Sequence, residues 1–109
     1  MANTFKNSIT AGVSSATDVY TCPSATTATV IGLTIANIDA SNVAAVDVKV
    51  VDTSATVTAH IVKAGPVPVN GSLVAVGGNQ KVVLETGDKI NVTSATANSD
   101  VIISLLETT

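Results

Sequence analysis

Apolar and polar residues alternate along most of this chain with a period of two. In the segment 29–36, isoleucine and leucine fill three alternate positions, and the positions between them hold mostly small residues. The segment 46–50 repeats the pattern, with three valines separated by an aspartate and a lysine. A period of two is typical of strands that bury one face. The sequence therefore predicts two facing β-strands, joined by a hairpin or a longer connection through the turn-forming residues 37–42.

Six further segments predict strands on the same grounds. They are 18–21, 56–62, 73–76, 81–84, 89–93 and 101–106. Turn-type residues separate them at intervals of roughly 8–12 residues, which is the spacing of antiparallel sandwiches and small barrels. No stretch carries the i, i+3, i+4, i+7 apolar stripe of a helix. The predicted fold class is all-β, an antiparallel β-sandwich of about eight strands that is jelly-roll or Ig-like.

The length of the chain and the distribution of strand signal predict one domain. A chain of 109 residues buries about two thirds of its extended surface, which is enough for one core. Residues 1–15 carry little strand signal, so we expect an N-terminal arm there that orders on assembly, followed by a single sandwich domain at 16–109. The first residues also lack the basic start and apolar run of an export signal, so we expect synthesis and folding in a cytoplasm.

The last predicted strand has apolar residues on both faces. One face carries valine, isoleucine and leucine, and the other is formed by Ile102, Ser104 and Leu106. A single core uses one face, so the second needs other cover, either from an overhanging loop or from a neighbouring subunit. We therefore select Ile102, Ser104 and Leu106 as the candidate interface and expect a homo-oligomer, with a trimer favoured.

Composition excludes several classes of protein and partner. Hydrophobic residues make up 46% of the chain and charged residues 12%, which is not the composition of a disordered protein. Polar residues interrupt every apolar stretch before the roughly 18 residues of a membrane-spanning helix, so no membrane partner is expected. The net charge is −3, and the five basic residues are dispersed lysines without any arginine. Nucleic-acid binding is therefore not expected.

Residue types that carry catalysis or bind metals are few. His60 is the only histidine and has no ligand partner near it in sequence, and no Gly-x-Ser-x-Gly elbow is present. Cys22, the only cysteine, is expected to be a small buried apolar residue. The scattered acidic residues are interpreted as solvated turn acids, because even the turn 39–42 lacks the dense acidic ligands of an EF-hand. We predict no catalytic residue, no cofactor and no metal site, and that the protein is not an enzyme.

Five blocks of the sequence form a recognisable set in their order and spacing. They are VYTCP at 19–23, ATVIGLTIAN at 28–37, VKAGPVPVNGSL at 62–73, KVVLETGDKI at 81–90 and ISLLE at 103–107. As a set, they resemble the small β-sandwich virion proteins of tailed bacteriophages. The resemblance covers nearly the whole chain, and it implies a structural component of the particle without catalytic residues.

The resemblance leaves open where on the particle the protein lies. Its leading implication is a capsid decoration (cement) protein, synthesised in the host cytoplasm, that binds the major capsid protein and stabilises the outer capsid lattice. A tail, neck or fibre component is the alternative within the same class. A carbohydrate-binding β-sandwich is the alternative from another class, and it needs exposed aromatic residues, for which the chain offers only Phe5 and Tyr20.

Overall fold

The computed structural model of the protein describes residues 2–109, which form nine β-strands joined by turns and short connections. The strands are β1 (Asn3–Val13), β2 (Thr17–Thr21), β3 (Thr27–Asn37), β4 (Ala44–Asp52), β5 (Val57–Val67), β6 (Ser72–Val76), β7 (Val82–Leu84), β8 (Lys89–Ala95) and β9 (Ser99–Thr108). Among these residues there is no helix of the length and apolar character needed to cross a membrane. The all-β prediction is confirmed, and each of the eight predicted segments overlaps one strand.

The strands form two antiparallel sheets that pack face to face. Sheet A has five strands in the order β1-β9-β3-β6, with β7 paired to the N-terminal part of β3. Sheet B has four strands in the order β2-β8-β4-β5. The predicted antiparallel sandwich is therefore confirmed, with nine strands where about eight were expected.

The strand pairing is that of a jelly roll. β4 pairs with β5, β3 with β6 and β7, β2 with β8, and β1 with β9, so the chain is one long antiparallel ribbon that folds back on itself. The ribbon closes where β9 pairs with β3 and β8 pairs with β4. Consecutive strands β1 and β2 consequently lie in opposite sheets, whereas an Ig-like sandwich keeps its first two strands in one sheet. Of the two predicted variants, the structure has the jelly roll.

The core lies between the two sheets and is built from aliphatic side chains. Its largest fully buried members are Leu33, Ile35, Leu84, Ile90, Ile103 and Leu105. Burying a side chain of this size stabilises the fold by roughly 1.5–3 kcal/mol. Cys22 is 2% exposed and belongs to this core, so the expectation of a buried cysteine is confirmed.

The segment predicted as an N-terminal arm contains strand β1. It lies at the edge of sheet A and pairs with β9 from the Asn3–Thr108 pair to the Val13–Ser99 pair. Ala2 and Thr109 continue the ladder through two reciprocal backbone hydrogen bonds. Because most of its side chains are exposed, β1 is held by the backbone ladder more than by apolar burial. For residues 3–13 the predicted arm is corrected to an edge strand of the sandwich; ordering on assembly stays a prediction.

The structure decides between the two predicted connections after β3, and it makes β5 longer than predicted. β3 and β4 lie in different sheets, so residues 38–43 form the longer connection between the sheets and not a hairpin. β5 continues through Val67, beyond the predicted end at 62, although it contains Pro66. β5 is an edge strand of sheet B, where a proline is tolerated because one side of the strand forms no ladder.

Candidate interaction surface

The three candidate interface residues lie on the outward side of β9. Alternate residues from Val101 to Leu105 are at most 1% exposed. Between and beyond them, Ile102 is 46% exposed, Ser104 is exposed and Leu106 is partly exposed. The predicted division of β9 into a core face and an apolar second face is confirmed. The role of the second face in self-association stays a prediction.

Strand β1 adds two large apolar residues to this surface. Phe5 lies directly opposite Leu106, and Ile9 lies directly opposite Ile102. Directly opposed residues of an antiparallel pair project to the same side of the sheet, so these side chains lie together on the outward side. Phe5 is 75% exposed and Ile9 is 64% exposed.

The strands on the other side of β9 extend the same surface. Thr34 of β3 lies opposite Ile102 and also opposite Val74 of β6. At the other end of β3, Thr29 lies opposite Leu106 and also opposite Val83 of β7. Five of the eight large apolar residues that the described chain exposes therefore share this side. They are Phe5, Ile9, Val74, Val83 and Ile102.

We call this surface the outer face of sheet A. Its members are Phe5, Asn7, Ile9, Thr29, Ile31, Thr34, Val74, Val83, Ile102, Ser104 and Leu106. Phe5, Ile31 and Ser104 line a shallow groove in it. Two charged residues border it, because Lys6 also lines the groove and Asp100 lies on the same outward side of β9, opposite Ala36. The surface therefore combines exposed aliphatic and aromatic groups with a few hydroxyls, one amide and these two bordering charges.

The outer face of sheet B has the opposite character. Lys49 of β4 lies opposite both Asn91 of β8 and His60 of β5, and Asp18 of β2 lies opposite Asn91. Asn91 donates a hydrogen bond to Asp18 Oδ1 over 2.8 Å, and Lys89 Nζ lies 3.4 Å from Asp18 Oδ2. The hydrogen bond from Asn91 and the lysine charge lower the pKa of Asp18. Sheet B thus presents water with the charged face that a half-buried sheet is expected to have.

Phe5, Ile9, Val74 and Val83 were not among the predicted interface residues. A signal for the first two existed in the alternation of Phe5, Asn7 and Ile9, but it is short and surrounded by polar residues. Val74 and Val83 lie in strands that the sequence did predict. They lie on the same side of sheet A as Ile102 and Leu106, across β3, because β6 and β7 pair with β3. No local sequence pattern encodes this pairing.

The two aromatic residues do not form a common platform. Tyr20 packs against the core and donates a hydrogen bond to Glu107 Oε2 over 2.7 Å, while Phe5 projects from the outer face of sheet A. Burial and the neighbouring carboxylate raise the pKa of the Tyr20 phenol. Lys6 Nζ lies 3.4 Å from the other oxygen of Glu107. Tyr20 therefore belongs to a polar contact between the sheets, which does not favour a sugar-stacking role for it.

The histidine and the cysteine lie in different surroundings, one exposed and one in the core. His60 is exposed on β5, opposite Lys49. Cys22 Sγ lies 3.3 Å from the carbonyl oxygen of Thr26, and burial raises the pKa of the Cys22 thiol. A buried thiol with a raised pKa is a poor nucleophile. That the protein is not an enzyme stays a prediction.

Comparison with known proteins adds little to this picture. No protein-family model matches the sequence, and no curated protein matches it. Among solved structures, the chain is similar to a protein of the disulfide-linked pili that form Bacillus endospore appendages, with a TM-score of 0.40 and 8% sequence identity over 97% of this chain and 84% of that chain. A similarity at this level carries no conclusion about function.

Proposed function

We propose that this protein is a structural subunit of a tailed-phage virion, a capsid decoration protein that self-associates through the outer face of sheet A and binds the outside of the capsid. The observation that carries the assembly role is the largely apolar outer face of sheet A, which holds five of the eight exposed large apolar residues of the described chain. The resemblance of the five sequence blocks to small β-sandwich virion proteins supports the setting. The proposal includes no catalytic step and no cofactor.

The physical basis for self-association is the free energy of covering this face. Phe5, Ile9 and Ile102 keep between 46% and 75% of their surface in contact with water in the single chain. Burying apolar surface stabilises an interface by about 25 cal/mol per Å². The charged groups that border the face, Lys6 and Asp100, already have partners in Glu107 and in the backbone N–H of Gly12. Contiguous exposed apolar patches of this kind mark protein–protein contacts. A trimer is the favoured assembly.

A decoration protein stabilises a capsid by repetition. Each copy adds a contact of modest free energy between neighbouring capsomers, and a multivalent subunit holds several of them at once. The outer face of sheet A would then be used within the oligomer, which leaves the loops, the edges and the charged outer face of sheet B for the lattice.

The self-association step is tested by placing a charge on each outer face in turn. Ile102→Asp is expected to shift the protein to a monomer in analytical ultracentrifugation, because a carboxylate would have to be buried in the contact. The matched control is Val51→Asp, since Val51 lies opposite Lys89 on the outer face of sheet B; it is expected to leave the oligomer intact. An unchanged oligomer in Ile102→Asp would refute the chosen surface, and a wild-type monomer at micromolar concentration would refute self-association.

The location on the particle is tested with undecorated capsids. Purified protein is expected to bind isolated heads to saturation at hundreds of copies, as counted by quantitative mass spectrometry. Binding to tails at a few copies, with heads at background, would instead establish the tail, neck or fibre alternative. A glycan array provides the corresponding test of carbohydrate binding, and the separation of Tyr20 from Phe5 leads us to expect no signal.

A further inference from the structure

Three carboxylates meet at the end of the sandwich where β4 ends and β8 begins. One carboxylate oxygen from each of Asp52, Glu85 and Asp88 lies within 4.8 Å of the other two. The sequence pattern predicts that these residues are scattered acidic residues in turns, with their side chains in water. For Asp88 that interpretation is wrong, because its side chain is 3% exposed.

The strand register and one turn account for the meeting of the three groups. The β4–β8 pairing reaches Val51 opposite Lys89, and one further step along both strands places Asp52 opposite Asp88. The backbone N–H of Asp88 donates to the carbonyl oxygen of Glu85, so these two residues are the ends of a β-turn and lie close together. Gly87 has a φ of +87° at the third position of this turn, a conformation that favours glycine.

The buried carboxylate of Asp88 is only half satisfied. Its Oδ2 accepts a hydrogen bond from the backbone N–H of Glu85 over 2.9 Å. Its Oδ1 is inaccessible to water and has no hydrogen-bond partner among residues 2–109. Leaving a buried carboxylate oxygen unpaired is costly. The unpaired oxygen is part of the Asp88 carboxylate, which is the buried member of the cluster with Asp52 and Glu85.

No lysine neutralises the three carboxylates. Among the described residues, the ion pairs are Lys6 with Glu107 and Lys89 with Asp18. Lys89 follows Asp88 directly in the chain, yet its ammonium group is engaged on the outer face of sheet B. The cluster therefore has the charge and the unpaired oxygen of a site that lacks its counter-ion.

We propose that Asp52, Glu85 and Asp88 bind a divalent metal ion of the calcium class. Calcium takes six to eight oxygen ligands at about 2.3–2.6 Å, so two ligands of one ion lie at most roughly 5 Å apart. The three carboxylates satisfy this limit. All the candidate ligands are oxygens, which excludes a zinc site of the usual nitrogen and sulfur type. The proposal is independent of the virion role and extends beyond it.

Further oxygens and access for the ion are at hand. Ser54, Glu85 and Thr86 line a solvent-open pocket at this end of the molecule. Asp52 Oδ1 already accepts hydrogen bonds from Ser54 and from the backbone of Ala55, which fixes its carboxylate. Water and nearby hydroxyls would complete the coordination. A bound ion would connect the turn after β4 to the turn before β8, and so stabilise the folded protein by linkage.

Calcium titration of the purified protein tests the site. Isothermal titration calorimetry is expected to give one site per chain with a dissociation constant between about 10⁻⁵ and 10⁻³ M, the range of weaker sensor and extracellular sites. Calcium is expected to raise the melting temperature, and EDTA to reverse the rise. Magnesium is expected to bind at least about ten-fold more weakly, because it demands a stricter octahedral geometry.

Two ligand variants and one control variant test the proposed ligands. Glu85→Gln changes an exposed residue without altering its shape, and Asp88→Asn keeps an oxygen that can accept the Glu85 hydrogen bond; each is expected to weaken calcium binding at least about ten-fold, since affinity depends on ligand charge. The control variant, Asp100→Asn, also removes one charge, but at the first residues of β9, where Asp100 accepts a hydrogen bond from the backbone of Gly12. This variant is expected to bind calcium as the wild type does. Circular dichroism checks that each variant folds, and Glu85→Gln still tests the site if Asp88→Asn does not.

Three results would overturn the proposal. One is the absence of binding heat and of any melting shift at about 10 mM calcium, ten times the weakest expected dissociation constant. A second is equal loss of binding in Asp100→Asn, which would indicate a general charge effect. A third is magnesium binding as tight as calcium binding, which would refute the calcium assignment.

Discussion

The two outer faces of this sandwich differ although the two sheets share one core. Both sheets bury one side of each central strand in the same aliphatic layer. On the side that faces away from the core, sheet B carries Asp18, Lys49 and Lys89. On its own outward side, sheet A carries Phe5 and Ile102. The core does not require this difference, because it is built from the inward residues only.

The difference between the two outer faces indicates which surface of the sandwich is the better candidate for a function. Charges on an exposed sheet keep it soluble and discourage pairing with other chains, and sheet B follows that rule. The outer face of sheet A does not, and this is the reason for our proposal that another molecule covers it. Substitutions of the inner residues, of the contact between the sheets and of each outer face separate the contributions of these regions to stability and association.

The largest effect is expected from the inner side of β9. Leu105 is 1% exposed, and Leu105→Ala is expected to lower the free energy of unfolding by about 2–5 kcal/mol, because it removes buried surface and leaves a cavity. Urea denaturation followed by circular dichroism measures the loss. Leu106→Ala, on the outer side of the same strand, is the matched control and is expected to cost less than half as much in the monomer. Equal losses would contradict the division of β9 into two faces.

The contact between the sheets is expected to have an intermediate effect. Tyr20→Phe removes the phenol that donates to Glu107, and we expect a loss of about 1.5–3 kcal/mol, the usual contribution of a hydrogen bond to a charged group. Differential scanning calorimetry measures the change. Lys6→Met removes the other partner of Glu107 at a more exposed position and is expected to cost less. An unchanged unfolding free energy in Tyr20→Phe would mean that water replaces the phenol as the hydrogen-bond donor to Glu107 without a loss of stability.

A smaller effect, confined to association, is expected from the outer face of sheet A. Phe5→Ala is expected to weaken self-association about ten-fold, as truncation of a contact residue worth more than 1 kcal/mol does, and to leave the unfolding free energy of the monomer nearly unchanged. Sedimentation equilibrium measures the association constant. Val57, which is 56% exposed on β5 of sheet B, provides the control variant Val57→Ala, for which we expect no change. Equal weakening in both variants would contradict the choice of face.

The smallest effect is expected from the outer face of sheet B and depends on pH. The hydrogen bond from Asn91 lowers the pKa of Asp18, so the folded state binds its proton more weakly than the unfolded state does. The contribution of Asp18 to stability is therefore present above the unfolded pKa of about 3.9 and is lost as the pH falls through the folded pKa. Because Asp18 is exposed, Asp18→Asn is expected to cost less than about 1 kcal/mol at pH 7.

Urea unfolding at pH 7 and at pH 3 measures this contribution. Asp18→Asn is expected to reduce the stability difference between the two pH values. Asn91→Ala keeps the charge but removes the hydrogen bond and is expected to reduce the difference as well. A pH dependence that survives in both variants would assign the acid sensitivity to other carboxylates.

Most strands were predictable because their signal is local. Alternation of apolar and polar residues identified eight of the nine, and the turn residues between them gave their spacing. The strand that was missed, β1, has few buried side chains, since its stability comes from backbone pairing with β9. The outward position of Ile102, Ser104 and Leu106 could be predicted because the last strand is apolar on both sides, and their role as an interface stays a prediction. Its neighbours Phe5, Val74 and Val83 could not be found in the same way, because pairing between distant strands places them there.

The order of residues along the chain is enough to predict an all-β protein with a single aliphatic core and a second apolar face on its last strand. These properties follow from the alternation of apolar and polar side chains, which depends only on residues that are close in the sequence. Strand pairing over long distances in the chain makes the sandwich a jelly roll and brings the apolar residues of four other strands into one largely apolar face with Ile102. It also brings Asp52 to Glu85 and Asp88. Each of these depends on the register between strands far apart in the chain, which many combinations of the same local pattern would allow.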